Sequence, residues 1–356
     1  MKTVLLDKIA SVTRSCQLKR EVRVQSEIPC EEGIVLAVRV LNDKSTYNQL
    51  ELPSGRMAQV KRGDVIAGAL GHRRALFGYS GHLPEKLAVG DTINLLNLGG
   101  VLGICNSVNP DIGKPFECEV LGAVLSFPFL GERIGRPAKI GEAPLDPDAP
   151  LDAGGVPVVA IVGTCMNAGK TAAACALVRE LVHRGYTVDA FKATGVSLRR
   201  DVLAMEDSGA RRTAIFTDLG VVSSTAKNAA AVTRTLLTKL AAEKPDLIMV
   251  ELGDGLLGAY GVDAILEDEA IRGALTAVVM AANDPVAAWG GIRLLRELYG
   301  IEAVAVTGPA TDNAVGTTII EDGMGVPAKN ARTSPEELTD VVLAALKLPP
   351  RAGEPS

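Results

Sequence analysis

One short stretch of this chain holds most of its legible chemistry: Gly163-Thr-Cys-Met-Asn-Ala-Gly169-Lys170-Thr171. Glycines let a backbone turn so that several N–H groups point into one hollow. A following helix N-terminus adds partial positive charge, and a Lys ammonium reaches the outer phosphates. Gly163, Thr164, Asn167, Ala168, Gly169, Lys170 and Thr171 are therefore candidate phosphate-binding residues, with the Thr171 hydroxyl a candidate Mg2+ ligand. Five residues separate Gly163 from Gly169, one more than in the usual motif. A plain strand-to-helix turn with a surface Lys is the alternative, and the strand and helix patterns on either side favour the phosphate site.

A triphosphate needs a metal, and two acids at segment ends are candidates to help hold it. Glu251 closes the run Leu-Ile-Met-Val and precedes Leu252-Gly-Asp-Gly-Leu-Leu257, the form expected of an acid at a strand's carboxyl end. Asp218, in Phe-Thr-Asp-Leu-Gly, is the second, and either could instead be a solvated turn acid. Asn283, after Val-Val-Met-Ala-Ala, could contact a purine edge through its amide or cap the next helix. Thr307 to Asn313 could line the same rim. Cys165 reads either as a thiol activated by the loop N–H groups or as a small residue filling space behind them. In the first half, Arg73 and Arg74 between His72 and His82 suit anion capture, or else form a hairpin with a solvated face. His183 reads as a surface helix residue.

The elements that must position these residues change character near residue 150. Before it, short apolar segments (Val22–Val24, Gly33–Leu41, Gln49–Leu52, Asp64–Leu70, Asp91–Leu98, Glu117–Leu125) alternate with turn residues, which predicts a smaller all-β barrel or sandwich over 1–132. Residues 133–155, rich in Pro, Gly and Asp, read as a linker with nothing apolar enough to be buried. From 156 to 356 the pattern becomes strand, helix, strand. Val156–Val162 is a continuous apolar run and Lys170–Arg184 has helical spacing. Thr187–Phe191, Asp246–Glu251, Ala277–Ala282 and Ala303–Thr307 follow as strands. Helices are expected over Lys227–Glu243, Ala264–Leu275, Val286–Tyr299 and Pro335–Leu346, the last with Ser334 and Glu337 as a capping pair. The fold class that follows is α/β, a P-loop NTPase-like, mostly parallel sheet with helices on both faces.

Composition removes several functions. Lys and Arg number 37 against 42 Asp and Glu, a net charge of −5, so no electrostatic footprint for nucleic acid or anionic lipid is present. Aromatic residues make up 3%, too few for a base-stacking platform. No apolar run approaches the roughly 20 residues of a bilayer span, and Asp7 and Lys8 interrupt what a signal peptide would need, so a cytoplasmic protein is expected. The six Cys show no CxxC and no His at ligand spacing, which indicates reduced thiols rather than disulfides or zinc.

The loop with its five-residue spacer resembles the phosphate loop of dethiobiotin synthetase and its P-loop relatives. Glu251-Leu-Gly-Asp-Gly-Leu-Leu is similar to that family's Glu-Gly-Ala-Gly-Gly-Leu-Leu segment, and Phe191-Lys192-Ala-Thr-Gly195 to its second-strand Lys motif. Ala-Thr-Gly, the later acidic turn and Glu-x-x-Gly-x-Leu also occur in P-loop D-amino-acid N-acetyltransferases. The match covers about residues 156–308 and none of the first domain. It implies that Gly163 to Thr171 hold phosphates, that Thr171 and Glu251 attend the metal, and that Lys192 faces the transferred phosphoryl group or the substrate's anion. The synthetase pattern has Asp where this sequence has Cys165, a soft thiol in place of a hard oxygen ligand.

The leading expectation is a Mg2+-dependent, ATP-binding enzyme that activates a small-molecule carboxylate or similar oxyanion by phosphoryl transfer, with Lys170 and Lys192 as catalytic cations. An acyltransferase using the loop for the phosphates of a coenzyme A thioester is an alternative. A nucleotide-gated regulatory NTPase is another. The expected partners are nucleotide and a small-molecule substrate, and a homo-oligomer is expected because related folds often build their sites across a dimer.

Overall fold

A computed structural model describes residues 1–128, 134–141, 145–348 and 351. The chain divides into two compact units. The first comprises Met1–Leu145 with Val196–Arg200 and Phe216–Ser223, and the second Asp146–Gly195, Asp201–Ile215 and Ser224–Ser356. Two short excursions from the second half of the sequence therefore belong to the first unit, which the change of pattern near residue 150 does not reveal.

The first unit is built of strands and two 3-10 turns among its residues up to 145. Val35–Val40 pairs with Val65–Leu70, which pairs with Val101–Val108; that strand pairs with Thr92–Leu95, which pairs with Phe116–Ser126, and Phe116–Ser126 pairs back with Val35–Val40. Five strands thus close a ring, a barrel that leaves no free edge among them. Alternate side chains fill it, with Leu36, Ile66, Ile93, Leu102 and Val120 inaccessible to solvent.

The segment read as a linker is not one throughout. Arg136–Pro137 pairs antiparallel with Leu125 and Ser126, and Ala138 and Ile140 are buried in the barrel's core. Pro137 fits because an outer strand need not donate from every residue. Further on, the carbonyls of Pro147 and Ala149 accept from the Arg234 guanidinium, which ties this stretch to the helix Ala229–Ala241. Arg133 and residues 129–132 and 142–144 lie outside the described residues, as do 349, 350 and 352–356.

The second unit is a six-stranded, wholly parallel sheet in the order Arg212–Ile215, Val188–Lys192, Leu247–Glu251, Val158–Gly163, Leu275–Ala281, Ala305–Thr307. Every residue of the three strands Val158–Gly163, Val188–Lys192 and Leu247–Glu251 is buried. Both faces are therefore covered, which explains their unbroken apolar runs. The helix Lys170–His183 packs on the sheet and against Pro335–Leu346.

Some local expectations differ from the structure. The helix foreseen over Ala264–Leu275 is two short ones, Val262–Glu267 and Glu269–Ala274, because Asp268 leaves helical geometry and caps the second through Ile271 N–H. Ser334 makes no side-chain cap; Glu337 pairs with Lys329 at 3.1 Å instead. The helices Arg200–Asp207 and Ala314–Met324 and the edge strand Arg212–Ile215 were not foreseen, being short or weakly periodic.

Candidate functional site

Parallel register brings the candidate residues to one end of the sheet. Lys192 lies opposite Glu251, and Glu251 opposite Ile161, two residues before the loop begins at Gly163. Side chains and turns at the carboxyl ends of three neighbouring strands therefore converge where α/β sheets bind ligands.

The loop itself turns through Asn167 (φ 61°) and Gly169 (φ 94°), both in the left-handed region, and delivers the chain to the helix Lys170–His183. No side chain caps that helix, so the N–H groups of its first turn have no partner within the helix. The start of the loop is fixed on both sides. Thr164 N–H donates to Ala281 O at 3.0 Å, and Leu256 N–H donates to Gly163 O at 3.0 Å. The segment after Glu251 packs so closely that a Cβ on Gly255 would stand 2.7 Å from Thr164 O, which is why Gly-Asp-Gly suits this turn.

Lys170 is 5% exposed and donates to Cys165 O at 2.8 Å and to Asp254 O. Burial pushes its ammonium's pKa down, with Glu251 opposing that shift and Lys192 adding to it. Glu251 is 2% exposed. Its Oε1 accepts from the Thr171 hydroxyl at 3.1 Å, and its Oε2 is buried without a hydrogen-bond partner. Burial pushes this carboxyl's pKa up, against the pull of Lys192. Lys192 Nζ lies 3.9 Å from Glu251 Oε1 and forms an ion pair with Asp201. The Thr164 hydroxyl is also buried without a partner. Buried polar atoms left unpaired are costly and uncommon, and two of them, Glu251 Oε2 and the Thr164 hydroxyl, meet around one loop.

The remaining candidates fall as follows. Ala168 is fully buried, with its carbonyl against Gly308. Cys165 is half-buried, accepts from Asn283 Nδ2 at 2.8 Å and lies 3.0 Å from Met166 O. Asn283 is exposed at the end of Leu275–Ala281, while the cap of the helix Pro285–Tyr299 is Asp284, which accepts from Ala287 N–H. Thr307 is buried and accepts from Ala331 N–H. Asp218 lies on the 3-10 turn Phe216–Leu219, grouped with the first unit, whereas Thr171 and Glu251 belong to the second. Its segment leads into Val222 and Ser223, whose N–H groups both donate to Glu32 in that first unit.

Asp201, the partner of Lys192, escaped sequence reasoning. It stands nine residues from the Lys in a short helix, and no motif marks it. Among the described residues no group of three or more His, Cys, Asp and Glu side chains is placed to hold a metal by itself. No helix of the described residues is long and apolar enough to cross a membrane.

No protein-family model matches the chain, and no curated protein matches it. Among solved structures it is similar to the signal recognition particle receptor FtsY from Elizabethkingia anophelis, at 16% identity over 52% of this chain and 64% of that one, with a TM-score of 0.37. A DUF1611 family protein from Anabaena variabilis gives 17% identity, 60% and 62% coverage and a TM-score of 0.40. The hydrogenase maturation factor HypB from Archaeoglobus fulgidus gives 12%, 54%, 91% and 0.34 in the same order. The match spans a little under two thirds of the FtsY and DUF1611 chains. The P-loop-type α/β fold of the second unit rests on its parallel strand order and on the strand, glycine loop and helix that run from Val158 to His183.

Proposed function

We propose that the second unit is a Mg2+-dependent nucleoside-triphosphate-binding enzyme that transfers the terminal phosphoryl group to a small-molecule carboxylate or similar oxyanion. The observation that supports it most is Glu251: a buried carboxylate sharing the Thr171 hydroxyl, with one oxygen unpartnered, at the mouth of the glycine loop. Both donors are hard oxygens, as Mg2+ requires, and the ion is ordinarily completed by phosphate oxygens and water. The residues present fit that ion, with Thr171 and Glu251 holding it; bound there, Mg2+ would neutralise charge on the phosphates. The Cys165 thiol, in contact with Asn283, is not needed for that set.

The loop N–H groups and the first turn of Lys170–His183 would bind the phosphates, with Lys170 exchanging its carbonyl partners for phosphate oxygens. The substrate oxygen attacks the terminal phosphorus while the bond to the bridging oxygen breaks, leaving a phosphorylated substrate and a nucleoside diphosphate. Lys192 would stand against the charge on the transferred group. A carboxylate beside the loop repels bare phosphates, so this arrangement favours a metal–nucleotide complex over coenzyme A phosphates alone.

ATP is the nucleotide that the family resemblance implies. Isothermal titration of the full chain with Mg·ATP and Mg·GTP, beside Lys170→Ala, tests the reading. Saturable binding by the wild type and its loss in the variant are expected. Equal binding by both proteins would remove the site from the loop.

A further inference from the structure

Lys192 has more negative charge on it than a phosphate-facing cation needs. Its ammonium is paired with Asp201 and lies 3.9 Å from Glu251. All three side chains are largely withdrawn from water, at 11% exposure for Lys192, 14% for Asp201 and 3% for Glu251. The charge of Lys192 is thus answered by Asp201 before any ligand arrives, whereas Lys170 donates to two backbone carbonyls. Asp201 and Glu251 are both acids, so Asp201 forms no ion pair with Glu251. Its service is to Lys192. Standing at the second position of the helix Arg200–Asp207, it is also held on a regular element rather than on a free loop.

A terminal phosphate that recruits Lys192 must compete with Asp201 for it. A diphosphate, which ends one group short, need not. Resting on the phosphate-loop reading above, we propose that Asp201 is a positioning residue that holds Lys192 back for the terminal phosphate, and so sets how strongly the site prefers a nucleoside triphosphate to a diphosphate. When the triphosphate binds, one anionic partner of the ammonium replaces another. The exchange attenuates triphosphate affinity and leaves the diphosphate largely unaffected.

The test is a comparison of Mg·ATP with Mg·ADP, repeated with Mg·GTP and Mg·GDP, by titration of the full chain. Asp201→Asn, which keeps the shape and removes the charge, should tighten triphosphate binding on the order of tenfold while changing diphosphate binding by less than about twofold. Lys192→Gln should lose the preference, and Asp201→Asn should then be silent in that background. Asp201→Glu, which restores the charge, should return the ratio toward that of the wild type, and Asp201→Ser, which also removes the charge, carries the test with the same expected tightening if the Asn variant does not fold. A merely structural role for Asp201 would move both nucleotides alike. That result overturns the proposal, as does an undiminished Asp201→Asn effect in the Lys192→Gln background or an Asp201→Glu variant with the Asn variant's ratio. If the wild type binds no nucleotide, or Lys170→Ala binds as well as it does, the phosphate-loop reading falls and takes this proposal with it.

Discussion

Gly308→Ala is the substitution that most directly tests whether the end of the outermost strand buttresses the phosphate loop. Gly308 follows Ala305–Thr307 with φ 89° and ψ −168°, a conformation that side chains rarely adopt. A Cβ there would stand 2.2 Å from Ala168 O and 2.9 Å from Ala282 O, both backbone atoms. Neither can swing aside as a side chain would. Ordinary contact begins near 3.4 Å, so the loop carbonyl has to retreat by about 1 Å. Backbone strain of this type costs about 1–3 kcal/mol. Displacing a preorganised loop by about 1 Å should weaken Mg·nucleotide binding tenfold or more. Denaturant unfolding measures the first effect and calorimetric titration the second. Gly323→Ala is the internal control: it lies in the helix Ala314–Met324 with nothing within 4 Å of an added Cβ. There the change should stabilise by about 0.5–1 kcal/mol and leave binding alone. Wild-type affinity in Gly308→Ala, or matching stabilities of the two variants, would refute the buttress.

Four further outcomes follow from the same geometry. Because burial pushes the Lys170 ammonium's pKa down, its charge is disfavoured in the folded state, and Lys170→Met should keep or raise the unliganded melting temperature. The same variant should lose the stabilisation of about 2.7 kcal/mol that nucleotide at 100 times its Kd gives the wild type in a thermal-shift assay. Burial raises the Glu251 carboxyl, so the folded protein keeps that proton to higher pH than the unfolded chain does. Stability from this group therefore falls as pH rises from the usual carboxylate range through the raised pKa, while Mg2+-dependent affinity rises over that window; Glu251→Gln should flatten both profiles. Asp189 is fully buried and its two oxygens accept from the half-exposed Arg211 at 2.9 and 2.6 Å, so Arg211→Ala should cost about 1–2 kcal/mol in denaturant unfolding, with Asp189→Asn in the same background recovering part of the loss. Alkylation of Cys165, followed by mass spectrometry, should slow when Mg·nucleotide is bound while Cys30 in the first unit reacts as before.

The parallel sheet was legible because strands covered on both faces must be apolar throughout, and Val158–Val162 and Leu247–Val250 are. The loop was legible because left-handed turns at a helix start restrict residue choice, as at Asn167 and Gly169. What remained hidden depends on distant pairing. Ala138 and Ile140 enter the barrel's core from a Pro-rich stretch because neighbouring residues complete a strand pairing with Leu125 and Ser126, and composition alone reads such a stretch as solvent-exposed. Segments 196–200 and 216–223 fold with the first unit through contacts such as Asn97 Nδ2 to Ser197 O at 2.6 Å, a hundred residues apart. Asp201 was hidden for the same reason: no local spacing announces that it meets Lys192.

On the proposed reading, the electrostatics of the site favour a metal-borne nucleotide over a bare one. Lys170 is satisfied by two carbonyls, Lys192 by Asp201, and the Thr171 hydroxyl by Glu251, so each positive or donating group has a weak or like-sized partner that a phosphate oxygen can replace. Replacement of a carbonyl by an anion strengthens the bond, since hydrogen bonds between charged groups are roughly twice as strong as neutral ones. Replacement of a carboxylate by a phosphate brings no such gain unless the displaced acid finds another cation. Glu251, with one oxygen already unpartnered, can take Mg2+ as that cation without leaving its strand. Raising Mg2+ at fixed nucleotide should therefore tighten binding in the wild type and have little effect in Glu251→Gln; a variant with the wild-type Mg2+ dependence would show that the carboxylate serves the fold and not the ligand.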